Sequence, residues 1–484
     1  MTIARVIVLF FSDINLGPDE TQYWFWSQTP AFGYFSKPPM IAWVIGMVTL
    51  IFGDSEWAVR LAAPLLHMGT ASLIFLTARS LYTDRVALWA GIVWLTLPGV
   101  SLSSMVISTD ALLLFFWSAA LFLFFKLINH EGSENQSIVT PALLGAAIGF
   151  GFLSKYAMVY FLISLVLVYV FSKKTLGGKT ALIASIVALA IVAPNIYWNF
   201  NHGFQTITHT AANANWQQGL VHPIQLIEFL LAQFGVFGPL TFALLIFGFV
   251  KLRSRLQSYE NLQFHNNDLQ LICFILPPLL IISAQAFLSR AHANWAAVAF
   301  PAASILITAW AFRASNGRIL KSAVAINAIG AILFTTVILN FSIADSLRLS
   351  GVIKRVRGWE AQIAEIENLS PNYDAVMADD RELMGAIVYY GRSNVSRAVA
   401  LNSNFKIDHH YEAFHPFDPD ADKTVLFITA NGNAIEVRDR FKSVRRIGET
   451  TADLKKGQYR RLYMFEISGY KPLTGNLLEK PEVF

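Results

Sequence analysis

Charge is scarce in this chain. Only 14% of its 484 residues are Asp, Glu, Lys or Arg, against about 25% in ordinary soluble domains. Cysteine is nearly absent: the single Cys273 sits in an apolar run, which excludes an intrachain disulfide and a cysteine-based metal site. No G-x-x-x-x-G-K-[ST], no G-x-G-x-x-G after a strand and no H-E-x-x-H occurs. A nucleotide-driven enzyme and a zinc protease are therefore unsupported. His202, His209 and His222 lack tight ligand spacing, so neither metal nor other cofactor is expected. No internal repeat stands out, which counts against a transporter built from paired halves.

What the chain has instead is apolar sequence. Its mean hydropathy is +0.48, gathered into runs near the roughly 20 residues that span a bilayer. Candidate spans are Ile3–Phe11, Leu61–Ala78, Val86–Val100, Ala111–Leu127, Pro141–Leu153, Tyr156–Phe171, Thr180–Trp198, Ile224–Val250, Leu269–Leu288, Ala296–Phe312 and Leu320–Phe341. They make about eleven spans in a membrane part over residues 1–341. The opening run lacks a small-residue cleavage site, so no cleaved leader is expected. Pro39–Phe52 is apolar but short, and reads as an interfacial helix within a first outer loop over residues 12–60. Residues 342–484 are charged and loop-rich. Strand-like runs at Thr424–Ala430 and Tyr459–Ile467 alternate with helix-like ones at Trp359–Leu369, Arg381–Tyr390 and Ala434–Phe441. The expectation is a small α/β domain.

Orientation follows from the basic residues. With a cytoplasmic N-terminus, the inner loops hold Arg79, Arg85, Lys126, Lys173, Lys174, Lys179, Lys251, Arg253, Arg255, Arg313, Arg318 and Lys321. The outer loops hold only Lys37, Arg60, Lys155 and Arg290. That is a strong positive-inside bias. It places the C-terminal domain outside, and it explains the net charge of +5 without nucleic acid.

The few outer charges are the candidates for chemistry. Asp19 and Glu20 open the first outer loop, and Lys37 precedes Pro38-Pro39 in the same loop. A carboxylate there suits a general base on an acceptor, and a lysine suits a phosphate. Taken alone, Asp19 reads rather as a helix N-cap, and Lys37 as a side chain reaching for headgroups; the pair in one loop, with further charge in the neighbouring helices, tips the balance to function. Asp110, in Ser108-Thr109-Asp110, stands at the outer end of a span; Lys155 lies in the tight turn after Ser154. Intramembrane ionisable groups are functional candidates. The loop Pro194–Trp216, with His202, is rich in amides and aromatics, which are sugar-binding chemistries as well as belt residues. Arg290-Ala291-His292-Ala293-Asn294-Trp295 brings one more cation to that side.

Asp19-Glu20…Tyr23-Trp24, Tyr34…Lys37-Pro38-Pro39-Met40, Ser108-Thr109-Asp110-Ala111-Leu112, Leu153-Ser154-Lys155-Tyr156, Pro194-Asn195…Trp198-Asn199 and Asn294-Trp295 together resemble glycosyltransferase family 39 and its relatives. These include protein O-mannosyltransferases, the aminoarabinose transferase of lipid A and galacturonosyltransferases of rhizobial lipopolysaccharide. The resemblance implies a polytopic α-helical membrane protein of GT-C architecture and a metal-independent, inverting transfer from a polyprenyl-phosphate sugar. The acceptor would be an envelope lipid A, core glycan, other glycan or protein, at the periplasmic side of a bacterial inner membrane. Catalytic roles are implied for Asp19, Glu20 and Asp110. Substrate contacts are implied for Tyr34, Lys37, Lys155, His202, Arg290, His292, Asn294 and Trp295. A transporter or flippase of lipid-linked saccharides would also need aromatics and buried charge but would form no covalent product, whereas an assembly factor would leave Asp19, Glu20 and Lys37 dispensable.

Overall fold

The computed structural model describes residues 1–129, 137–212, 221–251, 262–347 and 350–471, apart from 393, 394, 396, 403, 405 and 456. Arg253, Arg255 and the loop residues Asn213 to Trp216 lie outside that set. Among the described residues, the membrane part is built of helices and the loops that join them. Among the described residues six helices are long and apolar enough to cross a bilayer: Glu56–Leu81 (broken at Leu61), Thr109–Asn129, Gly178–Asn201, Asn266–Leu288, Ala293–Ser315 and Arg318–Leu339. The expected span Ile224–Val250 is instead two helices, Pro223–Val236 and Pro239–Val250, bent by 117°. Gly238, at φ +87, makes the turn, and Pro239 starts the second helix. Counted as one span, the pair makes seven. The other expected spans are shorter helices: Thr2–Phe11, Val139–Ser154 and Tyr156–Ser172, with Asp84–Thr96 stopping before Pro98. Met40–Phe52 is a helix of 13 residues, about 20 Å at 1.5 Å per residue and too short for a hydrocarbon core of about 30 Å.

Away from the first outer loop, the helix ends are tied by a buried carboxylate. Asp268 is fully enclosed. It accepts from Arg313 Nη2 on both carboxylate oxygens, at 2.9 and 2.7 Å, from the Trp310 indole N–H at 2.7 Å and from the Tyr82 hydroxyl at 2.6 Å. A charge at that depth persists because every acceptor direction has a donor.

The C-terminal part is the expected α/β domain, with more strand than the sequence suggests. Its sheet has the order β2-β1-β3-β5-β4, with β1 Ala375–Ala378, β2 Arg397–Ala400, β3 Thr424–Thr429, β4 Phe441–Asp453 and β5 Tyr459–Tyr470. β1 pairs parallel with β2 and β3, whereas β5 pairs antiparallel with β3 and β4. The helix expected at Ala434–Phe441 is only Ile435–Arg438, and β4 starts at Phe441. Trp359–Leu369 and Arg381–Tyr390 are helices as expected, and both pack on one face of the sheet.

This domain is docked onto the first outer loop. Tyr390 Oη accepts from the Leu16 amide at 2.8 Å and donates to Glu56 at 2.6 Å. Tyr389 Oη donates to the Asp54 carbonyl at 2.6 Å, and the Trp359 amide to Asn15 Oδ1 at 2.9 Å. The helices Pro18–Ser27 and Arg381–Tyr390 meet at Gly385, where an added Cβ would overlap Thr21 Oγ1. Gly385→Ala is expected to push the domain off the loop and cut activity at least tenfold. Thr21→Ala in the same chain should restore much of it by removing the opposing hydroxyl. Unaltered turnover by Gly385→Ala alone would show that this approach does not matter.

Candidate active site

The local sequence explains how the acidic doublet is used. Gly17 caps the helix Pro18–Ser27 in an extended conformation and Pro18 occupies its first turn. Proline suits that turn because the N–H it lacks would have no helical partner. Glu20 Oε2 then accepts from the Gly17 amide at 2.9 Å. Successive helical residues point about 100° apart at 3.6 residues per turn, so Asp19 and Glu20 face different surroundings.

Glu20 is 1% exposed and Arg60 2%. Arg60 Nε and Nη2 grip Glu20 at 2.8 and 2.6 Å, and Glu20 Oε1 also accepts from the Ile107 amide at 3.0 Å. Arg60 further donates to the Ile14 and Asn15 carbonyls at 2.7 and 2.9 Å. Glu20 thus lies in the core, bracing the loop, and does not line the cavity that Asp19 reaches. Removing one partner of such a pair strands a buried charge. Glu20→Gln or Arg60→Met is expected to cost about 3–5 kcal/mol of stability, read as a lowered Tm of the purified protein. The two changes together should recover part of that loss; an unchanged Tm for both single variants would contradict it.

Asp19 faces a cavity of about 540 Å³. Also lining it are Lys37, Asp110, Lys155, His292, Asn294 and Trp295, so seven of the eleven candidate residues meet there. Asp110, in the first turn of Thr109–Asn129, receives Lys155 Nζ on Oδ1 at 2.7 Å and Asn294 Nδ2 on Oδ2 at 2.7 Å. Lys155 occupies the extended residue that separates Val139–Ser154 from the 3-10 turn Tyr156–Met158. Asp110 therefore joins three segments and has no charge to spare. Lys37 differs: its ammonium makes no hydrogen bond or ion pair to a described residue. Burial and the nearby Lys155 ammonium hold Lys37 below the ordinary lysine range.

Four candidates stand outside the cavity. Glu20 is in the core, as above. Tyr34 stacks on Trp26 with centroids 4.8 Å apart and an interplanar angle of 6°. Its hydroxyl accepts from the Ala31 amide at 3.1 Å, with the Trp26 carbonyl 2.9 Å away, and its amide closes a turn onto the Lys37 carbonyl at 3.2 Å. Tyr34 therefore shapes the loop that carries Lys37. His202 stacks on Trp198 at 4.0 Å, and Trp198 fills the space where a Cβ on Gly33 would stand. Arg290 is exposed and its carbonyl accepts from Gln285 Nε2 at 3.1 Å.

The sequence reading missed the far wall, which the C-terminal domain builds from Arg381, Asp408, His409 and His410. Arg381 Nη1 donates to Asp19 Oδ1 at 2.8 Å and to Gln22 Oε1 at 3.3 Å. Burial pushes His409 down to about 4 and His410 down to about 3, so both rings are neutral at physiological pH. The remaining wall includes Tyr23, Phe35 and His209. Among the described residues no group of three or more His, Cys, Asp or Glu could hold a metal ion. A second cavity of about 420 Å³ shares Ser108, Asp110 and Asn294 with the first. Its other walls are mostly apolar, including Trp94, Leu97, Val100, Leu114 and Phe300.

Residues 36–198 match the family model described as dolichyl-phosphate-mannose-protein mannosyltransferase. The chain is 32% identical to the lipid A galacturonosyltransferase RgtD of Rhizobium johnstonii, over 88% of this chain and 89% of that one. It is 28% identical to the undecaprenyl phosphate-alpha-4-amino-4-deoxy-L-arabinose arabinosyl transferase of Pseudomonas aeruginosa PAO1, over 38% of each chain. In structure it is similar to ArnT from Cupriavidus metallidurans in the apo state, with a TM-score of 0.67 at 16% identity over 96% of both chains. The form of that protein bound to undecaprenyl phosphate gives 0.65. The chain thus belongs to the membrane glycosyltransferases of GT-C fold related to family 39, the group that contains the lipid A galacturonosyltransferase it matches over most of its length.

Proposed function

We propose that this protein moves a hexuronosyl group from a polyprenyl phosphate to a lipid A-type glycolipid at the periplasmic face of the inner membrane. The observation that carries the reading is the pairing, in one cavity, of a carboxylate and a lysine whose ammonium has no counter-ion among the described residues. Asp19 and Lys37 both line it, and only Lys37 lacks a protein counter-ion among its lysines. The choice of a uronic acid over a pentose rests on the 88% coverage by the galacturonosyltransferase, against 38% for the aminoarabinose enzymes.

The reaction is a single displacement. The acceptor hydroxyl gives its proton to Asp19 as its oxygen attacks the anomeric carbon. The bond from that carbon to the phosphate oxygen breaks, and its electron pair leaves on the phosphate, where the Lys37 ammonium stabilises the added charge. Asp110, held by Lys155 and Asn294, lines both cavities. The first isoprene units of the donor fit the apolar second cavity, which keeps water from the anomeric centre. The test is purified protein in detergent with a polyprenyl-phosphate uronic acid and lipid A. The expected result is a covalent uronosyl lipid A of inverted anomeric configuration. Lipid-linked sugar that crosses a bilayer with no such product would instead identify a flippase.

A further inference from the structure

We propose that Arg381, from the C-terminal domain, is the residue that reads the carboxylate of the transferred sugar. The inference deepens the uronosyl reading above and rests on it.

The cavity's cations are unequally free. Lys155 is bound to Asp110 at 2.7 Å, and Lys37 is required at the leaving phosphate. A uronosyl donor carries a second anion on the sugar ring and needs a second partner. Arg381 is the other cation on the wall, and half of it is uncommitted. Nη1 serves Asp19 and Gln22, whereas Nε and Nη2 donate to no described residue, and the side chain is 39% exposed. A guanidinium edge with two parallel N–H donors matches a carboxylate bidentately, which an ammonium does not.

The arginine is also held in place. Asp380 caps its helix, with Oδ1 accepting from the Glu382 and Leu383 amides at 2.8 and 3.0 Å, and Gly385 seats that helix against Thr21. The contact to Asp19 fixes one edge of the fork and leaves the other for substrate. The nearby carboxylate of Asp408 is itself engaged, with Oδ2 accepting from Asn404 Nδ2 at 2.6 Å.

The test compares two donors on the same polyprenyl phosphate: the uronosyl one and its neutral counterpart with a hydroxymethyl group at C6. Wild type should prefer the uronosyl donor in kcat/KM. Arg381→Gln is expected to lower that preference at least tenfold, chiefly through the KM of the uronosyl donor, and Arg381→Lys to lower it less. Because the readout is a ratio within one preparation, loss of folded protein or of Asp19 alignment lowers both rates and leaves it unmoved. A preference retained in Arg381→Gln overturns the role of Arg381 and leaves the uronosyl reading intact. A wild type that uses only the neutral donor overturns the uronosyl reading, and this role with it.

Discussion

Asp19→Asn is expected to yield a protein that inserts, folds and binds polyprenyl phosphate, yet transfers sugar at a rate about 10²–10⁴-fold lower, the usual contribution of a general base. The amide keeps the shape of the carboxylate and can still meet Arg381, but it accepts no proton from an acceptor hydroxyl. Asp19 is exposed to the cavity, with 63% of its side chain accessible, so the change strands no buried charge and stability should hold. Donor binding and Tm serve as controls beside the turnover assay. Turnover within threefold of wild type would remove Asp19 from the centre. Glu20→Gln gives the contrast: its effect should appear as lost stability, because Glu20 meets Arg60 and the Ile107 amide, not the cavity.

Lys37→Met has the second large effect, on the opposite side of the reaction. With no ammonium beside it, the phosphate leaves unassisted, and kcat is expected to fall about 10²–10³-fold, as when an electrostatic stabiliser of a developing charge is removed. Donor affinity should fall too, since the ground-state phosphodiester is already anionic. The pH profile supplies a separate check. Burial and Lys155 draw Lys37 below the usual lysine range, and the protonated form is the working one. Activity is therefore lost as pH rises through that lowered value, earlier than an ordinary lysine would allow. Lys37→Arg keeps its charge at all such pH values and should move that alkaline limb upward, even if the rate at neutral pH is lower. An alkaline limb identical in wild type and Lys37→Arg would assign it to another group.

Charge was readable in the membrane part because there is so little of it there. Asp19, Lys37, Asp110 and Lys155 stood out against apolar sequence, and all four line one cavity. Neighbours in sequence were harder to separate. Asp19 and Glu20 look like one acidic site, but a helical step sends one to the cavity and the other to Arg60. Tyr34 and His202 sit among sugar-binding residue types, yet their rings are used up against Trp26 and Trp198. In the C-terminal domain the logic reverses. Charges are common, so one arginine carries no signal, and the partner of Arg381 lies 362 positions away. The four-residue strands β1 and β2 were too brief to register, and β4 was hidden by its polar, solvent-facing residues.

The amino-acid sequence alone determined that this chain lives in a membrane, which way round it is expected to sit, and which few charges of that part stand out as candidates for chemistry. Those properties follow from composition and local spacing, because apolar runs and sparse ions have only one low-energy setting in lipid. Only the tertiary structure decided which carboxylate of the doublet faces the cavity, which of the cavity's lysines has no counter-ion among the described residues, and that a soluble-looking domain completes the pocket. Those are matters of direction and long-range contact: a side chain's partner is set by how helices far apart in sequence pack, and no local pattern encodes that.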